Sequence, residues 1–240
     1  MIKVLDLFAG TQSVKNALNE FDIDYKGIDI YSPEGENIIL DLTQDNIVER
    51  LLEKLGNWKP DFIWASPVCN KFSLGSVVKG GGNICFEVKE NKLVHRTNWN
   101  FKFRKIEYSN REDLQIKARK EGELALKMFE NTKKIINHFN VPFAIENPAY
   151  AYSRYIMTEY VANICNYCMY GLSYKKATTI YSNIKLSLLK CNHKGLHDAR
   201  LKTMDNTGQT FITNYIDRAR VPANLIYSVF LQLLGGGTNA

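Results

Sequence analysis

Two short stretches hold side chains able to do covalent chemistry. SPVCNKFS at 66–73 puts Cys69 just after the apolar run DFIWA, and FAIENP at 143–148 ends a second apolar run in Glu146 and Asn147. A thiol attacks only as the thiolate, which needs partial exposure and a nearby positive charge or helix N-terminus. A strand end followed by a polar turn supplies the exposure, and Lys71 or Lys176 is available as the charge. The competing reading is a structural thiol in the core. A carboxylate closing a buried strand is costly unless it is hydrogen-bonded or works as an acid. Cysteine and glutamate at neighbouring strand ends therefore suit attack on an electron-poor ring, with Glu146 bonding or protonating a ring nitrogen as sulfur adds.

DLFAGTQS at 6–13 places Gly10 where a first strand turns into a helix, so bare backbone can approach an adenosine or a phosphate. One glycine alone also fits a simple tight turn. Asp29 follows a second strand and Asp41 a third. Carboxylates there suit ribose hydroxyls and an exocyclic amine, although each alone is also an ordinary cap or turn residue. In this order they favour a nucleoside cofactor.

These residues need a scaffold that brings strand ends together. IKVLDLF, YKGIDI, NIIL, DFIWA and VPFAIENP read as short strands, with SVKNALNEF and DNIVERLLEKLG as amphipathic helices among them. That alternation predicts an α/β fold with a parallel sheet flanked by helices. A helical stripe from 111 to 139 runs through Leu114, Ala118, Gly122, Ala125, Phe129, Ile135 and Ile136. Residues 74–110 lack a clear period and read as a long, partly ordered loop over the site. Its Trp99, Phe101 and Phe103 either stack beside a nucleic-acid base or belong to an edge hairpin that packs its aromatics on the domain. A last helix is expected after Val221-Pro222, with 235–240 as a flexible tail.

The 240 residues, 45% hydrophobic, are enough for one α/β domain and exclude a disordered or fibrous chain. LIYSVFLQLL at 225–234 is about half the length of a membrane span, and MIKVLDLFAG carries no small-residue cleavage site, so a cytoplasmic protein is expected. Five cysteines, odd in number and irregularly spaced, read as free thiols. The net charge is +6, and 79–134 carries 14 Lys and Arg against 8 Asp and Glu, marking a polyanion contact or a solvated basic face. Cys165-x2-Cys168 with Cys191-x-His193, and His197 as a spare, has the ligand count of a structural zinc site. A strand through 165–168 would aim its two cysteines apart, so buried thiols, surface histidines and no metal are expected.

The ordered set DLFAGTQS, GIDIY, ILDL, SPVCNKFS, FAIENP, YGLSYKKATTIYSN and RVPANL resembles the cytosine-5 DNA methyltransferases, in particular their compact phage and mobile-element branch. The resemblance spans nearly the whole chain. It implies a seven-stranded Rossmann-like sheet, S-adenosylmethionine as methyl donor, and double-stranded DNA with a flipped cytosine as partner. Phe8, Ala9, Gly10 and Thr11 would line the methionine and ribose side of the cofactor. Asp29 would bind the ribose, Ile30 would pack on adenine, Asp41 and Leu42 would hold its edge, and Pro67 would be a further cofactor-binding residue. Cys69 would attack carbon 6 while Glu146 contacts the ring nitrogen and amino group. Asn147 would brace the loop bearing Pro67, and Lys176, in place of a commoner arginine, would contact the base carbonyl or a phosphate.

Gln12, Val68 and Asn70 depart from the family pattern, where a glycine, a proline and a glutamine are usual. The implied layout is a catalytic domain over 1–183 with a DNA-contacting loop at 79–110. A short target-recognition region follows at 184–215, then a closing helix at 216–234. A monomer is expected, and a restriction endonuclease as cognate partner in a restriction-modification pair is left open. Two rival readings keep the fold: a tRNA cytosine-5 methyltransferase, and an inactive relative that binds DNA.

Overall fold

A computed structural model describes residues 1–10, 12–32, 36–72, 78, 82–103, 105–193, 197, 199–201, 210–212 and 220–235. In chain order the strands are β1 (Ile2–Leu7), β2 (Ile23–Asp29), β3 (Asn37–Ile39), β4 (Phe62–Ala65), β5 (Phe86–Lys89), β6 (Lys92–His95), β7 (Lys102–Phe103) and β8 (Ile106–Glu107). They continue with β9 (Phe143–Pro148), β10 (Val161–Asn166), β11 (Ala177–Ser182), β12 (Ala199–Leu201) and β13 (Thr210–Ile212). The helices are α1 (Ser13–Ala17), α2 (Ile47–Leu55), α3 (Glu112–Phe139) and α4 (Ala223–Gly235).

Seven strands form one sheet in the order β10-β11-β9-β4-β1-β2-β3. β3, β2, β1, β4 and β9 are parallel, while β11 and β10 add antiparallel pairs at one end. This is the expected Rossmann-like α/β architecture. Chain order reverses across the β1–β4 pair, and in such sheets the crevice beyond the carboxyl ends at that switch point receives ligands.

The sheet is buried on both faces because side chains alternate along each strand. Leu5, Leu7, Ile28, Ile63 and Ala65 join a core with Leu51 of α2 and Phe129 and Ile136 of α3. Val4, Phe62, Trp64, Ala144 and Ile180 face the other way, toward Val14 of α1 and Leu225, Val229 and Phe230 of α4. β4 is buried at all four positions, so its FIWA run sits mid-sheet and delivers the following turn to the switch point. The stripe of α3 is buried from Ala118 to Ile136, with Gly122 beneath the rings of Phe86 and His95.

Three sequence expectations change. Residues 74–110, read as one long, partly ordered loop, hold two antiparallel hairpins among their described residues, β5–β6 and β7–β8. Their aromatics turn inward: Trp99, Phe101 and Tyr108 are buried, and the Phe101 and Tyr108 rings stack at 4.8 Å. The buried Arg96 guanidinium crosses the Phe101 ring at 4.8 Å and donates to the carbonyls of Asn83 and Phe86 at 2.6 and 3.2 Å. Helix α1 is shorter than SVKNALNEF, and α4 runs one residue into the stretch read as a tail, whose residues 236–240 lie outside the described set. Among the described residues no helix is long and apolar enough to cross a membrane.

Candidate active site

The turn after β1 is set by backbone conformation. Phe8, Gly10 and Gln12 all have positive φ, at 65°, 47° and 59°. Gln12 thus occupies a left-handed position that glycine would adopt without cost. Its buried amide donates to Asn37 Oδ1 at 3.2 Å, tying the turn to β3, and its N–H donates to the Ala9 carbonyl at 2.7 Å. Phe8 and Ala9 both donate their N–H groups to the Ile28 carbonyl. Thr11 lies outside the described residues.

Asp29 gathers three loops. Its Oδ2 accepts the Gly10 N–H at 2.9 Å, its Oδ1 accepts the Tyr31 N–H at 3.0 Å, and its carbonyl accepts the Leu40 N–H at 3.0 Å. Beside it Ile30 is 70% exposed, an apolar surface left open next to a carboxylate. Asp41 Oδ1 accepts from the Thr43 N–H and hydroxyl at 2.8 and 2.7 Å. Leu42 is buried, and its carbonyl accepts from Asn131 Nδ2 of α3 at 2.8 Å. Phe8, Ala9, Gly10, Asp29, Ile30, Asp41 and Leu42 therefore line one end of the sheet.

Cys69 lies in the turn after β4. Its carbonyl accepts the Phe72 N–H at 2.9 Å, and Phe72 is anchored between the Phe86 and Phe129 rings at 5.2 and 4.8 Å. Pro67 is buried, and its carbonyl accepts from Asn147 Nδ2 at 3.2 Å. Glu146 lies one residue earlier on β9 and is buried. Its Oε1 accepts the Tyr167 hydroxyl at 2.7 Å and faces Lys176 Nζ at 3.9 Å. Lys176 Nζ also sits over the Tyr167 ring, 4.6 Å from its centre.

Of the two cations offered by the sequence, Lys176 is the one near the thiol. Lys71 turns away to pair with Glu121 at 2.6 Å. Burial raises the Cys69 thiol above its ordinary pKa, the Glu146 charge raises it further, and the Lys176 charge opposes both. The resting sulfur is thus a thiol under opposed charges. Burial likewise pushes Cys165 up to about 12 and Cys85 to about 11, marking both as inert core thiols.

Tyr167 carries no motif of its own in the sequence. It precedes Cys168 in CNYCMY, and only the β10–β11–β9 pairing brings it to Glu146. That side of the sheet is reinforced by Asn163, whose Nδ2 donates to the carbonyls of Val161 and Ile180 and whose Oδ1 accepts the Leu186 N–H at 2.8 Å.

No protein-family model matches the chain, and no curated protein matches it. Among solved structures it is similar to the Entamoeba histolytica methyltransferase EhMeth at 11% identity and a TM-score of 0.44, over 80% of this chain and 57% of that one. Similarity to the Dnmt2 methyltransferase of S. pombe has 15% identity and a TM-score of 0.43, over 78% and 53% of the two chains. A candidate DNA modification methyltransferase of an E. coli prophage follows at 13% identity and a TM-score of 0.40, over 77% and 47%. The chain spans about half the length of these proteins.

Proposed function

We propose that the chain is a cytosine-5 methyltransferase acting on DNA, with Cys69 as covalent nucleophile. The observation that carries this reading is the convergence of Glu146 and Lys176 on Cys69 beside the acidic crevice at Asp29 and Asp41. The residues of that crevice fit a nucleoside cofactor. Gly10 leaves its backbone open, since a Cβ there would meet nothing nearer than the Phe8 carbonyl oxygen at 3.8 Å. Asp29 and Asp41 would hold hydroxyl and amino groups, and exposed Ile30 would take a ring face. S-adenosylmethionine supplies an electrophilic methyl group when bound.

The chain's own groups account for the remaining chemistry. Cys69 Sγ gives its proton to solvent and bonds to carbon 6 of a flipped cytosine, moving the C5–C6 π pair toward carbon 5. Glu146 engages the ring nitrogen, and sharing a proton there cancels the charge that raises the thiol. Lys176 remains to favour the thiolate. Asn147 holds the Pro67 carbonyl so that the turn keeps its sulfur in line. After carbon 5 gains its methyl group, loss of its proton and cleavage of the C6–S bond restore the ring and the free cysteine.

The test is to incubate the protein with S-adenosylmethionine and DNA containing 5-fluorocytosine, a base that cannot lose its carbon-5 substituent as a proton. A denaturation-resistant adduct, absent in Cys69→Ser, is expected. A folded protein that binds S-adenosylmethionine but forms no adduct with any DNA overturns the mechanism. Nucleoside mass spectrometry of treated DNA and tRNA separates DNA from tRNA as substrate. DNA binding without S-adenosylmethionine affinity in calorimetry would point to an inactive relative.

A further inference from the structure

The zinc pattern noted in the sequence regroups in the fold. Cys165 is fully buried in the apolar core between the sheet and α4, remote in character from any metal ligand. Strand β10 stops at Asn166, and a 3-10 helix at Tyr167–Tyr170 carries Cys168 out of the strand. There Cys168, Cys191 and His197 each direct one donor atom into a common space, all within 4.8 Å of one another. Cys191 Sγ and His197 Nε2 are 3.4 Å apart. The edges of a tetrahedral zinc site, with Zn–S of about 2.3 Å and Zn–N of about 2.0–2.1 Å, are about 3.3–3.8 Å long. The ring of His193 meets that of His197 edge-on with centroids 5.1 Å apart, which makes it the candidate for a fourth position.

We propose that Cys168, Cys191, His197 and His193 bind one zinc ion that clips the chain entering 192–220 onto the sheet. Cys191 is already positioned by hydrogen bonds outside the ligand set, and Cys168 by the 3-10 helix that carries it. Asn166 Oδ1 accepts the Cys191 N–H at 2.8 Å, Asn166 donates its own N–H to the Leu189 carbonyl at 3.2 Å, and the Leu189 N–H donates to the Tyr170 hydroxyl at 2.8 Å. Cys168, Cys191 and His197 are half-exposed, so an ion can reach them from solvent. Two thiolates with imidazole select zinc over magnesium or calcium, which prefer oxygen ligands. Cys168 directly follows Tyr167, the donor to Glu146, so the clip would also steady the turn behind the candidate active site. This site is independent of the methyl-transfer chemistry.

The test uses the full chain, purified under reducing conditions from zinc-supplemented cells and dialysed. Elemental analysis is expected to give about one zinc per chain, as a structural site binds tightly near neutral pH. Cobalt(II) added after chelator treatment should give the d–d bands of tetrahedral thiolate-bound cobalt. Cys191→Ser and His197→Ala should lose the ion and its spectrum, His193→Ala should bind cobalt at least tenfold more weakly, and Cys69→Ser should keep the full complement. Wild-type protein that is folded, reduced and metal-free, and that gives no cobalt spectrum, overturns the proposal. So does metal content unchanged in Cys191→Ser.

Discussion

The phenolic hydroxyl of Tyr167 donates to Glu146 Oε1 at 2.7 Å, reaching past β11 from the end of β10 to the end of β9. Both side chains are buried, so the bond supplies a donor that water cannot replace.

Tyr167→Phe is therefore predicted to cost about 1–3 kcal/mol of stability, the usual penalty for orphaning one buried partner. Urea denaturation measures that loss. Turnover should fall while S-adenosylmethionine affinity, measured by calorimetry, stays unchanged, because Tyr167 is absent from the crevice at Asp29. Unchanged turnover would reduce Tyr167 to a structural role.

The opposed charges around Cys69 predict its reactivity. Burial and then the Glu146 charge raise the thiol, while Lys176 lowers it. Near neutral pH, alkylation of Cys69 by iodoacetamide should be slower than that of a free thiol and should rise with pH. Glu146→Gln should speed it several-fold and Lys176→Met should slow it, as read by mass spectrometry of the Cys69 peptide. The reverse order would contradict the electrostatic assignment.

Gly27 is a packing requirement of the cofactor crevice. A Cβ there would meet Asn37 Oδ1 at 2.5 Å, Ala9 Cβ at 2.9 Å and the Tyr25 hydroxyl at 2.9 Å. Gly27→Ala is predicted to destabilise by about 1–3 kcal/mol through overpacking. Because Asn37 also accepts from Gln12, Gly27→Ala should weaken S-adenosylmethionine binding by more than the same substitution at Gly235, where a Cβ meets nothing within 4 Å.

Asp6 predicts a pH dependence of stability. Burial pushes its carboxyl up to about 8, against the lowering effect of the Tyr25 hydrogen bond and with a smaller push from the Asp29 charge. Between the ordinary carboxylate pKa and about 8 the folded chain holds a proton that the unfolded chain has lost. The Asp6 contribution to stability thus falls as pH rises through that window, by at most about 1.4 kcal/mol per pH unit, and levels off above it. Asp6→Asn should flatten this slope in urea titrations from acidic to mildly alkaline pH; an equal slope in both proteins would refute the assignment.

The parallel half of the sheet was legible because β1, β2, β4 and β9 each combine an apolar run with a chemically distinctive end at Gly10, Asp29, Cys69 or Glu146. In 74–110 an edge hairpin packing its aromatics on the domain was legible as one of two alternatives, but the pair of hairpins was not. The β5–β6 turn places Glu90 and Asn91 at φ 49° and 59°, a two-residue turn that usually advertises itself with glycine. The choice between stacking on a base and packing on the domain stayed open for the aromatic run because its packing depends on Arg96, whose partners are carbonyls that a sequence pattern cannot show. Tyr167 escaped for the same reason, since it acquires Glu146 only across the antiparallel β10–β11–β9 pairs. A strand through 165–168 was expected to aim the two cysteines apart, but β10 ends at Asn166 and a 3-10 helix carries Cys168 out to Cys191 instead.

The outermost strand, β10, would ordinarily be an open template for another polypeptide. Here Asn163 and Asn166 fasten residues 186–191 beside it, and the chain later re-enters at buried Val221, where the Pro222 carbonyl opens α4. Changes of length or sequence between His197 and Val221 would therefore leave the segment that covers β10 in place. Evolution, or an engineer, could vary that insert as a cassette while this edge of the sheet stays covered.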